Sequence, residues 1–126
     1  MPPNIAIIGA SANRQKYSNR AVRAYRAEGY TVYPINPNAE EIEGLKAYAS
    51  VLDVPGEIEL ASLYLPPKWG LSVAEGIIAK GIPEVLLNPG AENPELVDKL
   101  KQAGVNVILG CSIIALGRDP AEFGDC

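Results

Sequence analysis

The sequence has no histidine and only two cysteines, Cys111 and Cys126, among its 126 residues. Histidine is the commonest metal ligand and general base, so its absence excludes a Ser-His or Cys-His nucleophile built from this chain. Two cysteines form neither a disulfide framework nor the ligand spacing of a zinc site. We therefore expect no catalytic residues and no metal ligands in this sequence, and no enzymatic activity of its own.

Long apolar runs and an excess of basic residues are also missing. No apolar run approaches the roughly eighteen residues of a membrane-spanning helix. Met1, Pro2 and Pro3 lead directly into a short apolar strand, which is not the pattern of a signal peptide. The net charge is −4, whereas nonspecific binding to nucleic acid or to an anionic membrane needs a basic face. We expect a cytoplasmic protein with neither partner, in which any anion site is local.

The residues that are present favour a single α/β domain. A hydrophobic content of 48% is sufficient for the core of one domain of this length. Short apolar runs alternate with amphipathic segments, which predicts a doubly wound parallel sheet of about five strands with helices on both faces. The strands are expected at residues 5–8, 31–35, 60–65, 84–87 and 106–109.

Three predicted helices cover residues 18–28, 67–80 and 94–103, and a glycine follows the end of each. Ser18 is expected to cap the first helix, and Pro67 lies in the first turn of the second. The least regular part is expected at 36–49, with a small extended piece near 45–48 and a short helix that begins at Ser50.

The segment 4–14, with the sequence NIAIIGASANR, predicts an anion-binding turn. An apolar β-branched run stops at Gly9, which allows the backbone to approach a ligand closely. Small residues then lead into a helix, whose unpaired N–H groups and dipole attract anions. Hydroxyl and cationic side chains nearby would strengthen this site. The candidate residues are Gly9, Ala10, Ser11, Arg14, Lys16 and Ser18.

The segments that follow the other strands provide a second set of candidates. In a parallel α/β sheet the carboxyl ends of the strands share one edge, and ligands bind there, where the strand order reverses. These segments are rich in Gly, Pro, Asn and Ser, which form tight turns and offer hydrogen bonds with little bulk. They predict a cleft without acid–base chemistry. The candidates are Asn36, Pro37, Asn38, Pro66, Pro67, Asn88 and Gly90.

Two features disfavour a dinucleotide such as NAD as the ligand. The fingerprint G-x-G-x-x-G is missing, because Ser11 and Arg14 stand where its second and third glycines would be. The second strand ends in the sequence PINP at 34–37, without the acidic residue that holds the ribose hydroxyls. NAD or another adenine nucleotide therefore remains only an alternative ligand.

Several motifs together carry a resemblance to a known family. They are GAS at 9–11, KYSN at 16–19, GYTVYPINP at 29–37, LPP at 65–67 and NPG at 88–90, and the third is the most specific. The sequence resembles the CoA-binding protein family, small Rossmann-like proteins similar to the N-terminal CoA-binding domain of the succinyl-CoA synthetase α subunit. The resemblance extends to about Ser112. We expect a Rossmann-like CoA-binding domain over residues 1–117 and a C-terminal tail over 118–126.

The resemblance implies that the ligand is coenzyme A or a short acyl-CoA. Its pyrophosphate would lie over the first turn, its adenine beside Asn36 and Pro37, and its pantetheine would run past 66–67 toward 88–90. Many family members have a lysine after the Asn-Pro pair, where it suits the 3′-phosphate of CoA. Here that residue is Asn38, so selectivity for CoA would need a cation from elsewhere, such as Arg14 or Lys16.

These expectations describe a protein that binds CoA without transforming it, as a carrier, sensor or regulator. The phosphorylated histidine in the second domain of the synthetase has no counterpart in this sequence, so ligase activity from this chain alone is not expected. One alternative is the CoA-binding subunit of an acyl-CoA ligase-type enzyme, which would bind a separate catalytic chain. Another is an NAD- or adenine-nucleotide-binding module. Formation of a homo-oligomer remains open.

Overall fold

The computed structural model describes residues 3–65, 67–111 and 113, with the backbone alone at 67–71. The predictions for Pro66 and for the tail at 118–126 lie outside the described residues. The elements are β1 (Asn4–Ile8), α1 (Tyr17–Ala27), β2 (Thr31–Ile35), β3 (Glu41–Ile42), β4 (Leu45–Lys46), a 3₁₀ turn (Val51–Asp53), β5 (Leu60–Leu63), α2 (Pro67–Lys80), β6 (Glu84–Leu87), α3 (Pro94–Gln102) and β7 (Asn106–Leu109).

Five strands form one parallel sheet in the order β2-β1-β5-β6-β7. The chain runs outward from β1 to β2 and then crosses back to β5 on the other side of β1, so the strand order reverses between β1 and β5. Ile8, Ile35 and Leu63 are in register at the carboxyl ends of these three strands. Ligands of open α/β sheets bind at such a point of reversal.

The two faces of the sheet pack against different helices. Successive side chains of a strand point to opposite faces, so Ala6 and Ile8 of β1 enter one core while Ile5 and Ile7 enter the other. The first core includes Ile77, Leu96 and Leu100 from α2 and α3, and the second includes Ala21, Val22 and Tyr25 from α1. The predicted fold class, a Rossmann-like doubly wound parallel sheet, is confirmed.

Most predicted boundaries agree with the structure, and α2 covers the predicted residues. The predicted cap of the first helix is wrong, because α1 begins before Ser18. The carbonyl of Lys16 accepts the N–H groups of Asn19 and Arg20, so Ser18 already lies within the helix and is only 4% exposed. Lys16 is the N-cap residue and makes no side-chain capping hydrogen bond.

The segment between β2 and β5 is more regular than predicted. It contains an antiparallel hairpin of β3 and β4, of which only the second strand was expected. Tyr48 then extends along the outer side of β2, where its N–H donates to the carbonyl of Pro34 and its carbonyl accepts the N–H of Asn36. The predicted start at Ser50 is confirmed, because its Oγ accepts the N–H of Leu52.

Across the described residues, no helix is long and apolar enough to cross a membrane.

Candidate functional site

A cavity of about 580 Å³ opens at the carboxyl edge of the sheet, where the strand order reverses. Ile8 and Ile35 end the two strands that border it, and Leu65 follows the third. Ser72 and Val73 line it from α2. Leu65 belongs to the LPP motif at 65–67, but none of these five residues was predicted to bind the ligand. The two from α2 could have been found from the rule that helices following strands at the reversal border the ligand site.

Seven of the predicted ligand-binding residues line this cavity. They come from the segments after β1 and β2, which lie 20 or more residues apart in the sequence and meet because their strands are neighbours. The seven are Gly9, Ala10, Ser11, Lys16, Asn36, Pro37 and Asn38. Arg14, Ser18, Asn88 and Gly90 are not among the residues that line it, and the side chain of Pro67 is not described.

The fold requires a glycine at position 9, whether or not a ligand is bound. Its φ of +88° lies in the left-handed region that favours glycine, and a Cβ here would be 3.1 Å from Cδ2 of Leu65 and 3.3 Å from the carbonyl carbon of Tyr64. The N–H groups of Gly9 and Ala10 both donate to the carbonyl of Ile35, at 3.1 and 3.2 Å. Gly9 therefore forms the tight turn after β1, and its N–H is already used within the fold.

The next residues form the 10–14 loop, in which several carbonyl groups accept hydrogen bonds from the protein while several N–H groups have no acceptor. Within the part of the chain that is described, the N–H groups of Ser11, Ala12 and Arg14 make no hydrogen bond. Free N–H groups combined with bonded carbonyls favour an anionic ligand. Three carbonyls of the loop each accept a side-chain hydrogen bond at 2.8 Å: Ala10 from Asn36, Ser11 from Asn19, and Arg14 from Arg23.

The two candidate cations have different surroundings. Lys16 lines the cavity, is exposed, and forms no ion pair with any described residue. It is also the one charged residue among the described residues that line this cavity. The guanidinium of Arg14 pairs instead with Glu43, with Nε 3.5 Å from Oε2. Lys16 is therefore the cation available to a ligand in the cavity.

Asn36 shapes the loop that follows β2. Its Nδ2 donates to the carbonyl of Ala10, and its Oδ1 accepts the N–H of Asn38 at 2.8 Å. The amide nitrogen thus joins this loop to the turn after β1, and the amide oxygen holds the loop's own backbone at Asn38. Asn38 is exposed, and it contributes no charge.

Asn88 and Gly90 have partners within the protein. Asn88 is 1% exposed, and its Nδ2 donates to Oγ of Ser62 at 2.9 Å and to the carbonyl of Leu63 at 2.8 Å. The N–H of Gly90 donates to Oε1 of Glu92 at 2.7 Å. The bonds of Asn88 join the loop after β6 to the end of β5, and the bond of Gly90 lies within that loop. The roles of Asn88 and Gly90 in binding stay predictions.

A smaller cavity of about 340 Å³ adjoins the first and shares residues of β1, β2 and α2 with it. Val51, Leu52 and Gly76 contribute apolar surface to it, and Glu75 is the charged residue among the described residues that line it. The combined space therefore has a polar, cationic part near Ser11 and an apolar extension under the 3₁₀ turn. In the described residues, no three Cys, Asp or Glu side chains cluster as metal ligands.

The fold and the cavity define a small α/β domain that has a loop with free N–H groups at the reversal of its strand order. A family model described as a CoA binding domain matches residues 3–117. The chain belongs to this family of CoA binding domains, and the predicted resemblance is confirmed.

Similar proteins fall into two groups by length. The chain is 34% identical over 118 residues to the α subunit of the ADP-forming acetate–CoA ligase II of Pyrococcus furiosus, covering 85% of this chain and 26% of the subunit. It is 28% identical over 109 residues to the uncharacterized protein YneT of Bacillus subtilis, covering 86% of this chain and 81% of YneT. A hypothetical protein from Pyrococcus horikoshii has a similar structure, with a TM-score of 0.85, 34% identity, and coverage of 88% of this chain and 78% of that one.

This chain therefore spans about a quarter of the ligase subunit but most of the other two proteins.

Proposed function

We propose that this protein binds coenzyme A or a short acyl-CoA in the cavity at the strand reversal and does not transform it alone. The observation that carries the proposal is the 10–14 loop, which has bonded carbonyls and free N–H groups, in a chain that belongs to a CoA-binding family. The pyrophosphate would contact the N–H groups of Ser11 and Ala12.

The remaining parts of the ligand are assigned to the neighbouring loops. Adenine would lie beside Asn36 and Pro37, which border the same cavity as Ser11. The pantetheine would run past 66–67 toward the loop at 88–90. We assign Lys16 to the phosphates, because it is exposed at this cavity and has no acidic partner among the described residues.

A role in binding CoA without catalysing a reaction is consistent with the side chains that line the cavity. The sequence contains no histidine, and the described residues that line the cavity include no carboxylate, thiol or imidazole. The protein would then act as a carrier, sensor or regulator. A second candidate, the CoA-binding subunit of an acyl-CoA ligase-type enzyme, is favoured by the 34% identity to the ligase α subunit. It requires a separate catalytic chain, and recovery of a stable complex with such a chain would support it.

The ligand assignment is tested by calorimetric titration with CoA, 3′-dephospho-CoA and NAD at two salt concentrations. We expect CoA to bind, more weakly at the higher salt concentration, because part of the affinity comes from charge. Weaker binding of dephospho-CoA would show that Lys16 or another cation compensates for Asn38, whereas equal binding would show relaxed selectivity. Binding of NAD without binding of CoA would overturn the proposal.

A further inference from the structure

The tip of the β3–β4 hairpin contacts the 10–14 loop from outside the cavity. Oε2 of Glu43 accepts a hydrogen bond from Nδ2 of Asn19 at 3.1 Å and lies 3.5 Å from Nε of Arg14. The backbone carbonyl of Glu43 accepts a hydrogen bond from Nη1 of Arg26 at 2.7 Å. The hairpin tip is therefore bonded to α1 and to the loop before it.

Glu43 has a backbone conformation that glutamate rarely adopts. Its φ is +51°, and in the described part of the chain it is the one residue other than glycine with a positive φ. Gly44, the second residue of this two-residue turn, has a φ of +77°. Turns of this kind favour Asn, Asp or Gly at both positions. Local preference therefore does not explain a glutamate here, whereas its side-chain contacts do.

The partner of Glu43, Asn19, holds the loop in place. Asn19 is fully buried, and its Nδ2 donates to the carbonyl of Ser11 at 2.8 Å as well as to Glu43. Its Oδ1 accepts from Nε of Arg23, whose Nη2 donates to the carbonyl of Arg14 at 2.8 Å. Without the carboxylate, one N–H of the buried amide would lose its partner, which is unfavourable. The orientation of Asn19 thus depends on Glu43.

We propose that Glu43 is a positioning residue for the 10–14 loop. It orients Asn19 and Arg14, and through Asn19 it keeps the Ser11 carbonyl bonded to the protein, so that the N–H groups of the loop remain available to an anion. Glu43 does not line the cavity, and its negative charge would repel a phosphate. Its contribution to binding therefore acts through its neighbours. The inference rests on the proposed binding of CoA.

Two variants separate the side chain of Glu43 from the turn that carries it. Glu43→Asn suits a positive φ but is too short to reach Asn19, whereas Glu43→Gln retains the length and an acceptor oxygen. We expect Glu43→Asn to weaken CoA binding about tenfold, the effect of losing one charged hydrogen bond. Glu43→Gln should stay within about threefold of the wild type, because the bond to Asn19 is kept. Calorimetry measures both affinities.

Hydrogen exchange of the ligand-free protein gives a readout independent of CoA. The amides of Asn13, Gln15 and Lys16 are hydrogen-bonded within this segment. They should exchange faster in Glu43→Asn than in the wild type and in Glu43→Gln, while amides of β5 and β6 should not change. If the wild type binds no CoA but the exchange differs in this way, the positioning role holds and the proposed function fails.

Wild-type affinity and exchange in Glu43→Asn would overturn the positioning role. Tighter binding of CoA by both variants would also overturn it, because the charge alone would then matter. If Glu43→Asn does not fold, Glu43→Gly replaces it, since glycine also suits the turn and lacks the carboxylate.

Discussion

Gly9 shows how one residue can serve both the fold and the site. Its φ is positive, and a Cβ at this position would crowd the side chain of Leu65 and the backbone of Tyr64. These contacts mean that a substitution disturbs the turn before any ligand is considered. A loss of CoA binding in a Gly9 variant would therefore not by itself identify a phosphate-binding turn.

We expect Gly9→Ala to destabilise the protein more than Gly29→Ala does. The two glycines have nearly the same φ, +88° and +89°, so the backbone cost of alanine, about 1–2 kcal/mol, is similar. A Cβ at Gly29 meets nothing within 4 Å, whereas at Gly9 it crowds the backbone of Tyr64. Urea unfolding measures the difference. Equal losses in the two variants would show that the turn after β1 can relax.

We expect Lys16→Ala to weaken CoA binding by about fivefold at low salt and by less at high salt, because screening reduces a charge contribution at an exposed site. Stability should change little, since Lys16 makes no capping hydrogen bond to α1. Lys101→Ala, an exposed lysine on α3, is the matched control. If both variants bind CoA equally, Lys16 does not contact the phosphates.

Site residues that directly follow a strand could be predicted from the sequence, whereas those positioned by contacts between distant side chains could not. Gly9 and Asn36 lie close to the ends of neighbouring strands, so the topology brings them together. Arg14 lies two residues from Lys16, but the direction of its side chain depends on Glu43, which follows a segment without clear periodicity. Contacts between side chains of distant segments leave no pattern in the sequence.

At the scale of elements, the long helix α2 could be predicted from the sequence, whereas the short strand β3 could not. Proline at the start and a glycine after the end were sufficient to predict its extent. The strand β3 has two residues, too short for alternation to be recognised. The sequence therefore predicted the long elements and missed half of the hairpin that carries Glu43.

We expect Gly76→Ala to stabilise the protein by up to about 1 kcal/mol, because alanine is favoured over glycine within a helix. The added Cβ would lie 3.5 Å from Cγ2 of Val51, which is ordinary van der Waals contact. Ala79→Gly, at an exposed position of the same helix, is the reverse change and should destabilise by a similar amount. A Gly76→Ala variant less stable than the wild type would mean that the 3₁₀ turn packs too closely to accept a methyl group.

At the scale of the whole molecule, the fold class followed from the alternation of apolar runs and amphipathic segments. The order of the strands did not, because periodicity identifies a strand but not its neighbours. The cavity arises from that order, since β1 has β2 on one side and β5 on the other. The motifs after the strands therefore indicated the candidate ligand-binding residues, and the order of the strands determined which of these candidates line the same cavity.

The most direct test of CoA binding at the strand reversal is a titration of ¹⁵N-labelled protein with CoA, followed by amide NMR spectra. We expect saturable shifts at Ser11 and Ala12, whose N–H groups are free of partners in the described chain, and at Asn38 on the facing loop. Amides of β7, at the far edge of the sheet, should remain unchanged. Unchanged signals at Ser11 and Ala12 at saturating CoA, or shifts confined to other parts of the molecule, would contradict the account.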